Sequence, residues 1–323
     1  IKGEPQQIIA SNINPYLVDA NDLWLPKRTD PLCESPPLSF GSMANDGGHL
    51  ILDEKEKGLF IARYPITANL IRKYVGAAEF IEGWHRYCFW LVNIEPRTIK
   101  DIPELKDRLQ KIKEIREHSS RPQTIELASV PTLFGEIRQP EKAYLAIPKT
   151  SSERRTYIPI GFLPETVIAN TELFTIPDAT PYHFGILTSA MHMAWVRQVC
   201  GRLKSDYRYS AKLVYNNFPW PVDATAEQKS KVETCAQTVL DVRQGYLDDG
   251  STLADLYDPL YMPAPLLKAH QALDKAVDRC YRKEKFANER DRVEYLFQLY
   301  EQLTAPLAAE TGKKKRGRKN KGI

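Results

Sequence analysis

The chain has 323 residues, of which 42% are apolar and 27% charged, and this composition excludes a disordered chain, a collagen and a disulfide-stapled miniprotein. The length suffices for one large domain or two ordinary ones. No run of 18 apolar residues predicts a transmembrane helix, and the N-terminal residues lack the basic start and apolar stretch of a signal peptide. Because the chain does not begin with Met, we treat it as a possible fragment.

The net charge of +4 comes from the C-terminal end of the chain. Residues 311–323 carry seven basic side chains and no acidic one, and the rest of the chain has 38 basic against 41 acidic residues. A run of this kind is usually disordered and binds polyanions without sequence preference. We therefore predict a disordered basic tail over 306–323, with a purely solubilising role as the alternative.

The cysteines are odd in number and far apart, at positions 33, 88, 200, 235 and 280. Zinc sites need close pairs of Cys or His, which this spacing does not offer. The pattern predicts buried, reduced thiols in a cytosolic protein and no metal site.

The N-terminal half alternates irregular segments with short elements. Residues 1–48 are rich in Pro, Asn, Asp and Gly and predict a loop-dominated region. The β-branched and aromatic runs at 49–53 and 87–94 predict strands, and apolar spacing predicts a helix over 65–80. A further helix opens at Pro103 and ends before the SSRP sequence at 119–122.

The second half changes from strands to helices. Strands are predicted at 143–147, 156–162 and 166–176, and the nearly all-apolar stretch 182–203 predicts a buried helix. After residue 222 the spacing of apolar residues becomes helical and predicts three amphipathic helices at about 226–247, 263–283 and 287–303. The pattern therefore predicts an α+β fold, with a mixed α/β domain over 1–222, a small all-α domain over 223–305 and then the tail.

Familiar catalytic motifs are missing from the sequence. It contains no glycine-rich phosphate loop, no HExxH and no GxSxG. Asn14-Pro15-Tyr16 has only part of the Asn-Pro-Pro-aromatic tetrapeptide of amino-methyltransferases, so we interpret Asn14 as a turn residue. His183 and His192 lie on the apolar stretch and are expected in the core. We predict no catalytic residue in this chain and leave open whether it is itself an enzyme.

The segment Gly201–Ser210, with the sequence GRLKSDYRYS, is the most informative one. Lysine or arginine suits the O6 and N7 acceptors of guanine, and aspartate suits the N4 donor of cytosine. Lys204 and Asp206 could therefore address the two bases of one G·C pair, and Tyr207 and Tyr209 could pack on sugars or phosphates. The alternative is a solvated loop with an internal Lys–Asp pair.

A second polar cluster lies between two predicted strands. The segment 149–155 offers three cations and three hydroxyl groups, which predicts a loop that positions phosphates. An ordinary exposed turn is the alternative. The segment 137–140 (IRQP) is less informative alone.

The sequence resembles the C-terminal part of the MmeI-like (type IIL) restriction–modification DNA methyltransferases. The resemblance covers nearly the whole chain except the tail. It is carried by SNINPYLVDA (11–20), DGGHLIL (46–52), RYCFWLV (86–92), EIRQP (136–140), IPKTSSERRTYIPIGF (147–162), TPYHFGILTSAMHMAWVRQVCGRLKSDYRYS (180–210), YNNFPWP (215–221) and LADLYDPLYMPAPLLKAHQALDKAVD (253–278).

The resemblance implies a DNA target-recognition domain over 1–222 and a C-terminal helical domain over 223–305. It implies that Lys204, Asp206 and Arg208 contribute to base choice, with the remaining specificity positions in the region 149–172. The residues expected to contact the DNA backbone or to support the base-reading residues are Lys149, Ser151, Ser152, Arg154, Arg155, Arg202, Tyr207 and Tyr209.

The resemblance also implies partners and cofactors. Double-stranded DNA is the expected partner, together with an upstream adenine-N6 methyltransferase domain of the same polypeptide in the bacterial cytoplasm, with no membrane. S-adenosylmethionine, and Mg²⁺ for cleavage by a linked endonuclease, are expected in the intact protein and not in this fragment. A stand-alone DNA-binding subunit or regulator and a protein–protein scaffold are the alternatives.

Overall fold

The structure, a computed structural model, describes residues 9–319, with side chains described from 9 to 305. Within this part the chain forms two compact units that do not follow chain order. The first unit contains residues 9–37, 181–242 and 264–319, and the second contains 38–180 and 243–263. The boundary predicted at 222/223 divides the chain differently and stays a prediction. The disorder predicted over 306–323 differs from the structure, in which the backbone of helix α11 continues to Lys319, and the side chains from 306 onward lie outside the described residues.

The elements confirm the predicted α+β class, with an all-helical region that follows a mixed part. The helices are α1 Glu54–Arg63, α2 Ala77–Glu82, α3 Pro96–Lys100, α4 Pro103–Glu117, α5 Pro122–Glu126, α6 Pro181–Leu187, α7 Ala190–Val199, α8 Ala226–Asp248, α9 Leu253–Leu256, α10 Ala264–Tyr281 and α11 Glu289–Lys319. The strands are β1 Ser39–Phe40, β2 Ile51–Leu52, β3 Ile71–Val75, β4 Arg86–Phe89, β5 Tyr144–Pro148, β6 Thr150–Ser151, β7 Gly161–Leu163, β8 Ile168–Ala169, β9 Leu173–Pro177, β10 Gly201–Leu203 and β11 Asp206–Arg208.

Two four-stranded sheets form the centre of the second unit. One has the order β1-β9-β5-β7 and is antiparallel throughout. The other has the order β2-β4-β3-β8, in which only β3 and β8 are parallel. Strands β5 and β9 are almost entirely buried, which matches their continuous apolar sequence.

The helix predicted over 65–80 is wrong. Pro65–Asn69 forms a 3₁₀ turn, β3 follows, and α2 begins only after Gly76. The apolar positions that suggested a helix include those of a strand with β-branched and aromatic residues, whose pairing on both edges outweighs helical spacing. A Cβ at Gly76 would lie 2.5 Å from the side-chain nitrogen of Asn170, so any larger residue here would require that side chain to shift.

The buried stretch 182–203 is also not one helix. It breaks at Thr188-Ser189, where the Ser189 hydroxyl accepts a hydrogen bond from the backbone N–H of His192 and caps α7. The final residues of the stretch belong to strand β10. The predicted burial is correct, since α7 is buried over most of its length.

In the first unit, α7 packs against α10 and α11 around an aromatic cluster. The fully buried Trp195 ring lies 5.6 Å from the Phe297 ring and 6.0 Å from the Tyr300 ring. Asn216 donates to the carbonyl oxygens of Arg28 and Thr29 at 3.0 and 2.8 Å. The YNNFPWP segment therefore fastens the irregular N-terminal region onto the helical core.

The predicted burial is confirmed for all five cysteines, which are free thiols. Burial raises the pKa of the Cys200 and Cys280 thiols to about 11, so both are protonated near neutral pH.

Candidate functional site

The segment 201–208 forms a β-hairpin directly after the buried helix α7. Gly201 pairs with Arg208 and Leu203 pairs with Asp206, which leaves Lys204 and Ser205 as a two-residue turn. Lys204 has a φ of +56°, a left-handed conformation that is uncommon for residues other than glycine. The hairpin thus places the Lys204 side chain at its exposed tip.

The alternation of side chains along β11 separates the charged residues from the aromatic ones. Asp206 and Arg208 lie on one face; Asp206 is partly exposed and Arg208 exposed. Tyr207 and Tyr209 point the opposite way and are only 3% and 2% exposed. These rings are therefore not available to pack on sugars or phosphates, and that part of the sequence interpretation is wrong.

A buried hydrogen bond anchors the hairpin to α7. Nε2 of His192 lies 2.9 Å from the Tyr209 hydroxyl, and the Phe218 ring packs edge-on against the imidazole at 4.5 Å. Burial lowers the pKa of His192 to about 3 and raises that of Tyr209 well above 10, so both groups are neutral at pH 7. His192 is a core residue, as the sequence predicts.

Arg202 turns back onto the hairpin. Its Nη1 donates to the carbonyl oxygen of Ser205 at 3.0 Å, and its guanidinium lies 4.1 Å from the centre of the Tyr207 ring. These contacts rigidify the two-residue turn. In contrast, the Lys204 ammonium has no ion pair or hydrogen bond within residues 9–305.

The predicted phosphate-positioning segment lies in the second unit. Ser151 belongs to strand β6 and is only 3% exposed, so its hydroxyl is not at the surface. The Ser152 hydroxyl accepts from the backbone N–H of Arg154 at 3.3 Å and so stabilises its own turn. Arg154 is exposed, whereas Lys149 and Arg155 are partly buried.

The second unit also contains a cation–aromatic cluster that the sequence pattern does not predict. The Phe40 ring packs on Phe174 at 4.8 Å, and 38% of Phe40 remains exposed. Lys149 and Arg138 lie 4.8 and 5.9 Å from the Phe40 ring centre. Phe40 sits on the two-residue strand β1, which is too short to leave a periodic signal in the sequence.

Other sequence features have structural roles. The side-chain oxygen of Asn14 accepts from the backbone N–H groups of Tyr16 and Val18 at 2.9 and 3.1 Å, which confirms Asn14 as a turn residue. The Gln139 amide of the IRQP segment donates to the carbonyl oxygen of Val167 at 2.9 Å. His183 is half-buried, and burial lowers its pKa.

Within the part of the chain that the structure describes, no helix is long and apolar enough to cross a membrane. The same residues contain no group of three or more His, Cys, Asp or Glu side chains arranged to hold a metal ion.

Comparison with known proteins gives the class of this fold. The family model of the MmeI target recognition domain matches residues 19–222, and that of the MmeI C-terminal domain matches 224–308. The chain thus has the architecture of a target recognition domain followed by a C-terminal domain. It belongs to the MmeI family, and the resemblance stated from the sequence is confirmed.

Individual relatives agree with this assignment. DNA methyltransferase A of Bacillus subtilis (strain 168) is 40% identical over 296 residues, which cover 92% of this chain and 33% of the relative. A solved structure of the type IIL restriction–modification enzyme MmeI in complex with DNA matches with a TM-score of 0.87 and 42% identity. That match covers 94% of this chain and 40% of the solved chain, so this chain spans a third to two fifths of its relatives.

Proposed function

We propose that this chain is the DNA-recognition module of a restriction–modification enzyme that methylates adenine at N6. In this proposal it positions a specific duplex site for a methyltransferase domain elsewhere in the intact bacterial cytoplasmic protein. The main support for this proposal is the hairpin 201–208, which is anchored in the core and presents Lys204, Asp206 and Arg208.

The base-edge chemistry of this hairpin supports the role. Lys204 stands at the tip, and Asp206 and Arg208 share one face of β11. In the major groove of DNA a cation suits guanine and a carboxylate suits cytosine. We assign Lys204 and Asp206 to the two bases of one G·C pair, and Arg208 to an adjacent contact.

The supporting residues act from the interior and from the second unit. Tyr207, Tyr209 and Arg202 hold the hairpin in shape. Arg154 and Lys149 are the candidates for phosphate contacts, since one is exposed and the other flanks the exposed Phe40. Ser151, Ser152 and Arg155 shape the same segment and are assigned as supporting residues.

Among the described residues, Asn14 of the partial tetrapeptide does not fit a catalytic role in amino-methyl transfer. A catalytic asparagine must offer its amide oxygen to the substrate amino group, but Asn14 is 1% exposed and this oxygen is used by its own turn. The proposal therefore assigns S-adenosylmethionine, and the Mg²⁺ that cleavage needs, to parts of the intact protein outside this chain.

The test is a double charge swap, Lys204→Glu with Asp206→Arg, in the intact gene. It reverses the order of donor and acceptor, so the preferred G·C pair should change orientation while the rest of the methylated motif stays the same. One such contact pair contributes about 1–3 kcal/mol of discrimination, or roughly tenfold to a hundredfold in relative affinity. Sequencing of methylated bases in cellular DNA reports the whole motif.

The matched control swaps an exposed ion pair of the second unit, Arg63→Glu with Glu104→Arg. This variant should methylate the original motif. An active Lys204/Asp206 swap with an unaltered motif would remove both residues from the recognition site. Binding of the isolated chain to DNA without any methylated motif from the intact gene would favour a stand-alone DNA-binding protein.

A further inference from the structure

The outward face of helix α10 carries only positive charge. Lys268, Lys275 and Arg279 are exposed and lie on this face, since they are separated by seven and four residues. The two acidic residues of the helix point elsewhere. Asp274 accepts from the backbone N–H of Ala190 at 2.7 Å, and Asp278 is buried.

The buried Asp278 is neutralised within the fold. Its two carboxylate oxygens accept hydrogen bonds from Arg292 of α11 at 2.9 and 2.6 Å. This bidentate pair holds α10 and α11 together and keeps the carboxylate away from the exposed face. In residues 9–305, Lys268, Lys275 and Arg279 form no ion pair that offsets their charge.

A cleft of about 1160 Å³ runs along this face between α8 and α10. Lys231 of α8 adds a fourth cation, and Glu227 is the one acidic residue in the described lining. A second cleft of about 430 Å³ shares Lys275 and Arg279. It adds Lys283 and Lys285 beyond the end of α10, along with Asp274, Asp278 and Glu284.

The two helices are fastened to each other at one end of the larger cleft. Gln228 and Thr225 form a reciprocal cap at the start of α8, and the Gln228 amide donates to the carbonyl oxygen of Arg279 at 2.6 Å. The cations are therefore mounted on two connected helices rather than on a loop.

We propose that this surface, which we call the α8–α10 basic groove (Lys231, Lys268, Lys275, Arg279), binds the phosphodiester backbone of duplex DNA without reading its sequence. It is a second contact, separate from the base-reading hairpin of the proposed function. Lys268 and Arg279 are about 16 Å apart along the helix axis, which is close to five base-pair steps of about 3.4 Å.

The lining favours DNA over an acidic protein as the partner. Ser230 and Gln271 place uncharged donors between the cations, and such side chains commonly contact phosphate groups. The apolar side chains of the larger cleft are small, namely Cys235, Ala272 and Ala276. A protein interface instead has a core of large apolar or aromatic side chains.

The experiment measures the salt dependence of DNA binding by the full chain. Fluorescence anisotropy with a labelled 30-bp duplex of unrelated sequence is recorded over a KCl series for wild type and for Lys268→Gln/Lys275→Gln/Arg279→Gln. Each lost phosphate contact should lower the slope of log K against log[KCl] by about 0.9, so the triple variant should lose about 2.7. Lys275 lines both clefts, and Lys275→Gln alone should lower this slope by about 0.9.

The matched control removes three exposed lysines of the second unit, Lys55→Gln/Lys100→Gln/Lys106→Gln, with the same change in net charge. Its slope should stay near wild type. An unchanged slope for the groove variant, or an equal loss in both triples, would overturn the proposal. So would competition by polyglutamate as effective per charge as DNA, because it would indicate an acidic protein partner. Since the duplex has an unrelated sequence, the result does not depend on base reading by Lys204 and Asp206.

Discussion

Two cationic sites of this protein differ in how the fold uses the charge: one is buried and serves structure, and the other is held at the surface, where we propose that it contacts DNA. In the second unit, Arg116 is fully buried, and all five of its N–H groups donate to backbone carbonyl oxygens at 2.8–3.1 Å. The acceptors are the carbonyls of Ala44, Asn45, Leu127, Val130 and Leu133. In the first unit, the hairpin holds Lys204 and Arg208 at the surface.

The difference lies in what satisfies the donors. Arginine has five donors in a rigid fork, and at Arg116 the fold supplies an acceptor for each of them. In the hairpin, hydrogen bonds instead hold Tyr209 and Arg202 in place, and the Lys204 ammonium is exposed to solvent. A cation saturated by backbone carbonyls fixes local structure, whereas a cation held out by a rigid hairpin suits an external partner.

The largest expected effect comes from breaking the buried site. Arg116→Met removes five donors. The carbonyl oxygens of Ala44, Leu127 and Val130 keep a backbone N–H donor, but those of Asn45 and Leu133 lose their hydrogen-bond partner, at a desolvation cost of about 1–3 kcal/mol each. Relaxation and water entry reduce this cost, whereas the three weakened carbonyl sites add to it, so we expect a loss of about 3–4 kcal/mol in the free energy of unfolding. Urea unfolding followed by circular dichroism measures it.

The control for this prediction is Arg121→Met, an exposed arginine five residues further along the chain. It should change the free energy of unfolding by less than about 0.5 kcal/mol. Equal effects of the two substitutions would contradict a structural role for the Arg116 hydrogen bonds. Either variant should leave the hairpin 201–208 chemically intact.

The second effect concerns the support beneath the hairpin. Burial lowers the pKa of His192 to about 3. As the pH falls, the imidazole is therefore protonated near pH 6.5 in the unfolded chain but stays neutral in the folded chain. The free energy of unfolding should therefore fall with decreasing pH, by about 1.4 kcal/mol per pH unit below about pH 6. His192→Asn should remove this contribution and flatten the pH dependence.

The comparison uses the slope of stability against pH between pH 6 and 4, so a general destabilisation by the substitution does not affect it. The control is His118→Asn, at an exposed position on the end of α4, which should keep the wild-type slope. An unchanged slope in His192→Asn would mean that the imidazole is protonated in the folded protein, contrary to its buried pairing with Tyr209.

The sequence predicted these two sites unequally. Arg116 follows Leu105, Leu109 and Ile112 at helical spacing, so its position on the buried face could be inferred. Its five acceptors lie in two other segments, 11 to 17 and 71 to 72 residues away in the chain, and no local pattern indicates them. In the hairpin, the alternation of Asp206, Tyr207, Arg208 and Tyr209 is the signature of a strand with one buried face. That pattern was present in the sequence and would have placed both tyrosines in the interior.

Elsewhere, long-range pairing decided what local patterns did not. The predicted helix over 65–80 failed because β3 pairs with β4 and with β8, the latter from almost 100 residues further along the chain. The long amphipathic helices α4, α8 and α10 were predicted well, because their periodicity extends over several turns. The α8–α10 basic groove depends on which faces meet, and the sequence alone does not specify this.

The smallest expected effect tests the turn of the hairpin itself. Lys204 adopts a left-handed φ that costs a non-glycine residue about 1–2 kcal/mol, and glycine relieves this strain but adds about 0.5–1 kcal/mol of unfolded-chain entropy. Lys204→Gly should therefore stabilise the chain by about 0.5–1 kcal/mol, measured by differential scanning calorimetry, while it removes the proposed guanine contact. Ser205→Gly is the matched control, since Ser205 has no positive φ to relieve, and it should be neutral or destabilising. If Lys204→Gly destabilised the chain as much as Ser205→Gly, Lys204 would not adopt the left-handed conformation in solution. The tip of the hairpin would then not be rigid, and the contrast with the fixed Arg116 side chain would fail.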